Sequence, residues 1–147
     1  MRLKELCNRD VVIIEPSASI VDAAKLMKQY NVGDVVVVEK QQGYNTPVGI
    51  LTDRDIVVEL VADEVDISRV SVADVMSIEI QTANVNEDSA DVLKRMKQKN
   101  IRRLPVVDDE SKLQGLITVA DILDLLSEEQ LDISSLLVTT SDNAIPA

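Results

Sequence analysis

The chain has 147 residues, 46% of them hydrophobic, and a formal charge of −11 from 15 Lys and Arg against 26 Asp and Glu. That balance argues against nucleic-acid binding, which relies on cationic contacts to phosphate. There is no Phe, Trp or His, and Cys7 is the sole cysteine. The core must therefore be aliphatic, no intramolecular disulfide can form, and the commonest general base and metal ligand is missing.

The size suits one compact unit. A single cysteine points to a cytoplasmic location. It reads either as a buried apolar residue or, with no basic neighbour to lower its pKa, as an unsupported redox sensor. No apolar run approaches the roughly 18 residues that span a bilayer, so no membrane partner is expected. Residues 1–5 lack a signal-peptide core.

In chain order, residues 3–7 suit a short leading helix and residues 11–14 a strand ended by Pro16. Ser17 or Ser19 caps a helix with Ile20, Ala23, Ala24 and Met27 at helical spacing. Gly33 is expected to stop it. Four consecutive valines, 35–38, predict a strand buried on both faces. A loop over 41–46 leads to a strand from Pro47 to Thr52, then a helix from Asp53 to about Ala62. Residues 63–71 are a polar, acidic connection.

A short helix at 72–76 mirrors residues 4–7. Residues 80–83 repeat the first strand. Asp88 or Ser89 caps a helix carrying Val92, Leu93 and Met96. Residues 104–107 form a strand with Pro105 placed at its start. A tight turn at 108–111, a strand at 113–117 and a helix from Thr118 to about Ser127 complete the pattern. The tail predicts a short helix or partner-contacting segment, then disorder.

One motif organises the chain. Gly49-Ile-Leu-Thr52-Asp-Arg-Asp55 returns as Gly115-Leu-Ile-Thr118-Val-Ala-Asp121, an offset of 66 (118 − 52). The segment from Asp22 to Asn31 returns from Asp91 to Asn100, an offset of 69 (91 − 22). The chain is an internal repeat, with a first hairpin three residues longer than the second. Each half would be marginal alone, so the halves should share a core.

Residues 48–56 and 114–122, supported by 101–108, 31–38 and 74–76, resemble a tandem pair of cystathionine-β-synthase (CBS) domains over about residues 1–127. The resemblance implies an α+β fold of two β-α-β-β-α repeats, 1–65 and 66–127, packed sheet to sheet about a pseudo-twofold axis, with a tail at 128–147. It implies a ligand-sensing regulatory module, commonly paired as a homodimer. Two clefts between the repeats would hold AMP, ADP, ATP, S-adenosylmethionine or NAD. No cofactor is required. With no other domain in the sequence, any regulated target would be a separate protein.

By the same resemblance, Asp55 and Asp121 would take the ribose hydroxyls, and Thr52 and Thr118 the first phosphate. The chemistry suits the residues. An ionised carboxylate accepts twice from a cis-diol, and a helix start favours an anion. The plainer reading is that Thr-x-x-Asp only caps a helix. Arg54, Arg102 and Arg103 are candidate phosphate contacts, or else surface partners for Asp53, Asp34 or Asp108. The base would lie near Ile13, Ile14, Val35 and Val36 in one cleft and near Thr82, Ala83, Leu104 and Pro105 in the other, unless these are plain core. Gly49 and Gly115 would admit a ligand or a strand at close range.

Ala120 stands where Arg54 stands, and Gly33-Asp34 where Arg102-Arg103 stand, so the clefts should bind unequally. Asp53 with Asp55, and 108–110, read as solvated turn charge rather than metal or acid–base sites. Without a nucleophile–base set, no enzyme is expected. The competing function is a dimerisation or interaction protein that binds no ligand.

Overall fold

The computed structural model describes residues 1–78 and 80–142. Two three-stranded sheets carry helices in an α+β arrangement. In the first, β1 (Ile13–Ile14) pairs parallel with β2 (Asp34–Gln41), which pairs antiparallel with β3 (Tyr44–Thr52). In the second, β4 (Ala83–Asn84), β5 (Arg103–Val107) and β6 (Leu113–Thr118) repeat that order.

The helix α2 (Ile20–Tyr30) starts at Ser19, whose Oγ accepts the Asp22 N–H at 3.0 Å. It buries Ile20, Ala23 and Met27. It stops at Asn31, not at Gly33: Asn31 takes φ 52°, and Asn100 takes φ 53° at the end of α5 (Ser89–Lys99). Asn visits this left-handed region because its short side chain can bond locally. Gly33 has a different role, since a Cβ there would lie 3.2 Å from the Asp53 carboxylate.

The first hairpin is longer than its sequence suggests. The ladder continues to Gln41↔Tyr44, so the loop expected over 41–46 shrinks to a turn at Gln42 and Gly43, the latter at φ 79°. In the second sheet, Pro105 sits inside β5 rather than at its start. The equivalent Val36 donates to the Val12 carbonyl at 3.0 Å. Proline has no N–H to offer, so pairing of β4 begins one residue later, at Ala83↔Val106. The strands expected at 11–14 and 80–83 are thus both short, Ile13–Ile14 and Ala83–Asn84, and the proline sets the second one residue later than the first.

After β3, the helix α3 is an α turn over Asp53–Asp55 that widens into a π-helix over Ile56–Val61. A 3₁₀ turn at Ile67–Arg69 lies within the acidic connection. The last helix, α6 (Val119–Asp142), does not end near Ser127 but runs unbroken into the tail. Residues 143–147, in the part of the tail expected to be disordered, lie outside the described residues.

The two repeats exchange their leading helices. Leu3 of α1 (Leu3–Leu6) is fully buried in the second core, with Val92, Met96, Leu104 and Ile117. Val72 of α4 (Val72–Val75) is fully buried in the first, with Ile20, Val35, Val37 and Leu51. The chain leaving each helix bridges to the far sheet. Asn8 and Leu116 exchange both backbone hydrogen bonds at 2.9 Å, and Ser77 and Ile50 do so at 3.0 and 3.3 Å.

Gly49 and Gly115 mark these crossings. A Cβ on Gly49 would lie 2.7 Å from Met76 Sδ and 2.9 Å from the Ser77 carbonyl oxygen. On Gly115 it would lie 2.8 Å from both Cys7 Sγ and the Asn8 carbonyl oxygen. Because backbone stands in the way, neither site can accept a side chain without separating strand and crossing segment. Gly49→Ala and Gly115→Ala should each cost about 1–3 kcal/mol, as overpacking does. In thermal melts each should lower Tm by several degrees, at roughly 2–4 °C per kcal/mol for this size. An unchanged Tm would refute the crossing.

Candidate functional site

The two strand-to-helix junctions are locked by the same pair of hydrogen bonds. At the first, the Asp55 N–H donates to Thr52 Oγ1 at 3.0 Å and the Thr52 N–H donates to Asp55 Oδ2 at 2.9 Å. At the second, the Asp121 N–H donates to Thr118 Oγ1 at 3.1 Å and the Thr118 N–H donates to Asp121 Oδ2 at 3.0 Å. These are reciprocal capping boxes. Among the described residues, each leaves Oδ1 of the carboxylate and the proton of the hydroxyl without a protein partner. Capping and ligand binding are therefore compatible: the cap fixes the side chains and spares one acceptor and one donor.

Thr52 lines a cavity of about 300 Å³ between the repeats, with Ser77, Gln81, Arg102, Arg103 and Leu104. Asp55 lines an adjoining one of about 340 Å³ that shares Ser77. Thr118 lines a larger groove of about 830 Å³ with Asp34, Arg102, Arg103 and Ala120. The same two arginines thus border both threonines. Arg54 is exposed and is not among the residues lining these three cavities.

The centre lies where the pseudo-symmetry brings equivalent positions together. Asp34 is the ladder partner of Thr52, and Arg103 that of Thr118. Asp34 and Arg103 are 69 residues apart, the repeat offset, and their side chains form an ion pair. One copy of the position supplies an anion and the other a cation. Gly33 and Arg102 are likewise equivalent. The Gly33 carbonyl accepts from Asp53, and the Arg102 carbonyl from Val119, both at 2.9 Å.

The strand residues sit as follows. Ile14, Val35, Val36, Ala83, Leu104 and Pro105 are buried. Ile13 is half-buried and lines cavities on the outer side, against α2. Thr82 is exposed, and its carbonyl accepts from Arg95 at 3.0 Å. Arg95 also grips Glu87 at 2.7 Å and holds that carboxyl below its usual range. Gln81 is the counterpart of Val12, whose carbonyl takes the Val36 N–H. With Pro105 opposite, the Gln81 carbonyl has no such bond among the described residues, and Gln81 lines the Thr52 cavity. The other acidic positions are engaged locally: Asp53 Oδ1 accepts the Arg54 N–H, and Asp108 Oδ1 those of Glu110 and Lys112.

A family model for the CBS domain matches residues 3–62 and 72–128. The chain belongs to the CBS domain family. A CBS domain-containing protein of Bacillus subtilis is 39% identical over 120 residues, covering 82% of this chain and 81% of its own. An uncharacterized protein of Methanopyrus kandleri is 36% identical over 119 residues, 81% of this chain. The match spans 59% of that relative's length. Among solved structures, a CBS domain pair in complex with 5′-methylthioadenosine and S-adenosyl-L-methionine superposes with a TM-score of 0.75 at 26% identity, over 88% of this chain and 98% of its own. CBS pairs are regulatory ligand-binding modules. Among the described residues, no helix is long and apolar enough to cross a membrane.

Sequence reading missed Ser77, Ile80, Gln81 and Ile101 in the Thr52 cavity of this CBS pair. Ser77 arrives there through the exchanged helix, a long-range fact with no local signal. Gln81 could have been found, since Pro105 in a strand demands an unpaired partner. Cys7 occupies the position of Met76, packed over Gly115 as Met76 is over Gly49. Burial pushes its thiol up, keeping it protonated at neutral pH. Iodoacetamide at pH 8 should therefore alkylate native Cys7 more slowly than the urea-unfolded chain. Equal rates would contradict a packed, inert thiol.

Proposed function

We propose that this CBS pair is a regulatory sensor that binds an adenosyl ligand in its inter-repeat clefts and passes the bound state to a separate target protein. The observation that carries it is the twin capping box, which among the described residues spares one carboxylate oxygen and one hydroxyl proton at each junction, with Thr52, Asp55 and Thr118 lining cavities and Asp121 one helical turn from Thr118. Asp55 and Asp121 take ribose hydroxyls through Oδ1. Thr52 and Thr118 donate to the first phosphate at a helix start. Arg102 and Arg103 face that phosphate, with Arg54 outside. The base lies along the buried strand residues and meets their backbone rather than a stacking ring.

The ligand class is AMP, ADP, ATP, NAD or S-adenosylmethionine, and the 5′-methylthioadenosine and S-adenosylmethionine of the solved relative support it. The reading includes a cytoplasmic homodimer. The clefts bind unequally, because Gly33 and Asp34 stand in the first repeat where Arg102 and Arg103 stand in the second, and Gln81 lines the Thr52 cavity alone. A second reading, an interaction module without ligand, draws support from the exposed Leu123, Leu126, Ile133 and Leu137 of α6.

Thermal-shift assays with the five ligands separate these readings. A ligand at 100 times its Kd should add about 2.7 kcal/mol of stability. No shift with any of them would favour the interaction module. Calorimetry on Asp55→Ala and Asp121→Ala should then give unequal losses of affinity. Equal losses would sink the asymmetry.

A further inference from the structure

The outer strands of the two sheets are equivalent in position and unequal in protection. β1 and β4 are each paired on one side only. In the first sheet the Val36 N–H donates to the Val12 carbonyl, so the next residue, Ile13, turns its own N–H and C=O away from β2. Among the described residues neither group has a partner. An open edge of this kind is a template for another chain.

In the second repeat the same edge is guarded. Thr82, Arg95 and Glu87 stand 69 residues after Ile13, Leu26 and Ala18, the repeat offset. The Arg95 guanidinium lies across the outside of that edge. It donates to the Thr82 carbonyl at 3.0 Å and to the two oxygens of Glu87 at 2.7 and 3.2 Å. Leu26 can offer no such donor and Ala18 no such acceptor, so in the first repeat the arginine and the carboxylate that clasps it are missing together. The space beside the edge is open there. Ile13 and Leu26 both line a cavity of about 500 Å³ and an adjoining one of about 510 Å³. Neither cavity shares a residue with those that hold Thr52, Asp55 and Thr118.

Charge selects the occupant. Glu15 and Asp22 line the first of these cavities with Ile13, and neither is in an ion pair among the described residues. Lys25 lines it too, but its counterpart is Lys94, the immediate neighbour of Arg95, so a lysine at that point tolerates a guanidinium. The net charge of −11 draws a basic partner rather than an acidic one. We propose that the outer edge of β1 binds an extended segment of a partner protein, whose arginine lies in trans where Arg95 lies in cis. Its guanidinium donates to the Ile13 carbonyl and to a neighbouring carboxylate, and its stem covers Leu26. This surface is separate from the clefts and needs no adenosyl ligand.

Fluorescence anisotropy on the full chain, without nucleotide, tests it with a labelled short peptide alternating valine and arginine. A peptide alternating valine and glutamate is the control. The arginine peptide should bind one per chain, and the glutamate peptide at least about tenfold more weakly, the worth of one charge-assisted hydrogen bond. Leu26→Arg/Ala18→Glu supplies the guard in cis and should abolish binding while leaving the circular dichroism spectrum folded. Should that variant fail to fold, amide NMR on the native chain decides: the arginine peptide should shift Ile13 and Leu26 and leave Thr82 and Arg95 in place. Four results would overturn the proposal. They are no binding of the arginine peptide, equal binding of the two peptides, binding that survives in folded Leu26→Arg/Ala18→Glu, and native-chain shifts that bypass Ile13. The third is the mark of a basic peptide adhering to the acidic surface at large.

Discussion

The molecule depends on two places where a crossing backbone meets a strand with no room for a Cβ. At Gly49 the segment after α4 crosses β3, and at Gly115 the segment after α1 crosses β6. Each crossing is closed by a pair of backbone hydrogen bonds and backed by a sulfur side chain, Met76 in one repeat and Cys7 in the other. These contacts let each repeat bury the leading helix of its twin. Neither core is complete in its own half of the sequence, since the first contains Val72 and the second contains Leu3. Small domains bury too little surface to be secure alone. Exchange joins two marginal cores into one unit.

The exchange also makes the clefts. Ser77 reaches the Thr52 cavity only because its segment has crossed to β3. Around the axis, equivalent positions meet, and the symmetry breaks there. Asp34 and Arg103 are the same position in the two repeats, and they neutralise each other where both threonines converge. In an acidic chain, that arginine and its neighbour Arg102 line both cavities that hold the cap threonines. In the function proposed above, a phosphate in either cleft would compete with Asp34 for Arg103, and occupancy of one cleft would bear on the other through that ion pair.

Much of this was legible in the residues. The Gly, Thr and Asp of the motif predicted both junctions, because a capping box is a local device with a fixed spacing. The offsets of 66 and 69 predicted two similar units and a longer first hairpin. What failed was what local chemistry underdetermines. Gly33 was the natural helix stop, yet Asn31 adopts the left-handed turn, and a Cβ on Gly33 would meet the Asp53 carboxylate at 3.2 Å. Pro105 read as a strand start, yet it lies inside β5, and the neighbouring strand β4 begins one residue later in consequence. The mirrored helices at 4–7 and 72–76 were visible as equivalents, but equivalence does not say which core receives which helix. Likewise, nothing local stops α6 at Ser127, since neither Gly nor Pro interrupts the sequence between Thr118 and Ala144.

We propose that an adenosyl ligand sits at the two locked Thr–Asp junctions, brought together by exchange. The most direct measurement is a residue-resolved amide NMR titration with S-adenosylmethionine and, separately, AMP. The account predicts that shifts concentrate at Thr52, Asp55, Thr118 and Asp121 and at the crossing residues Asn8 and Ser77, with one junction saturating before the other. Shifts that bypass both junctions, or none at millimolar ligand, would contradict it.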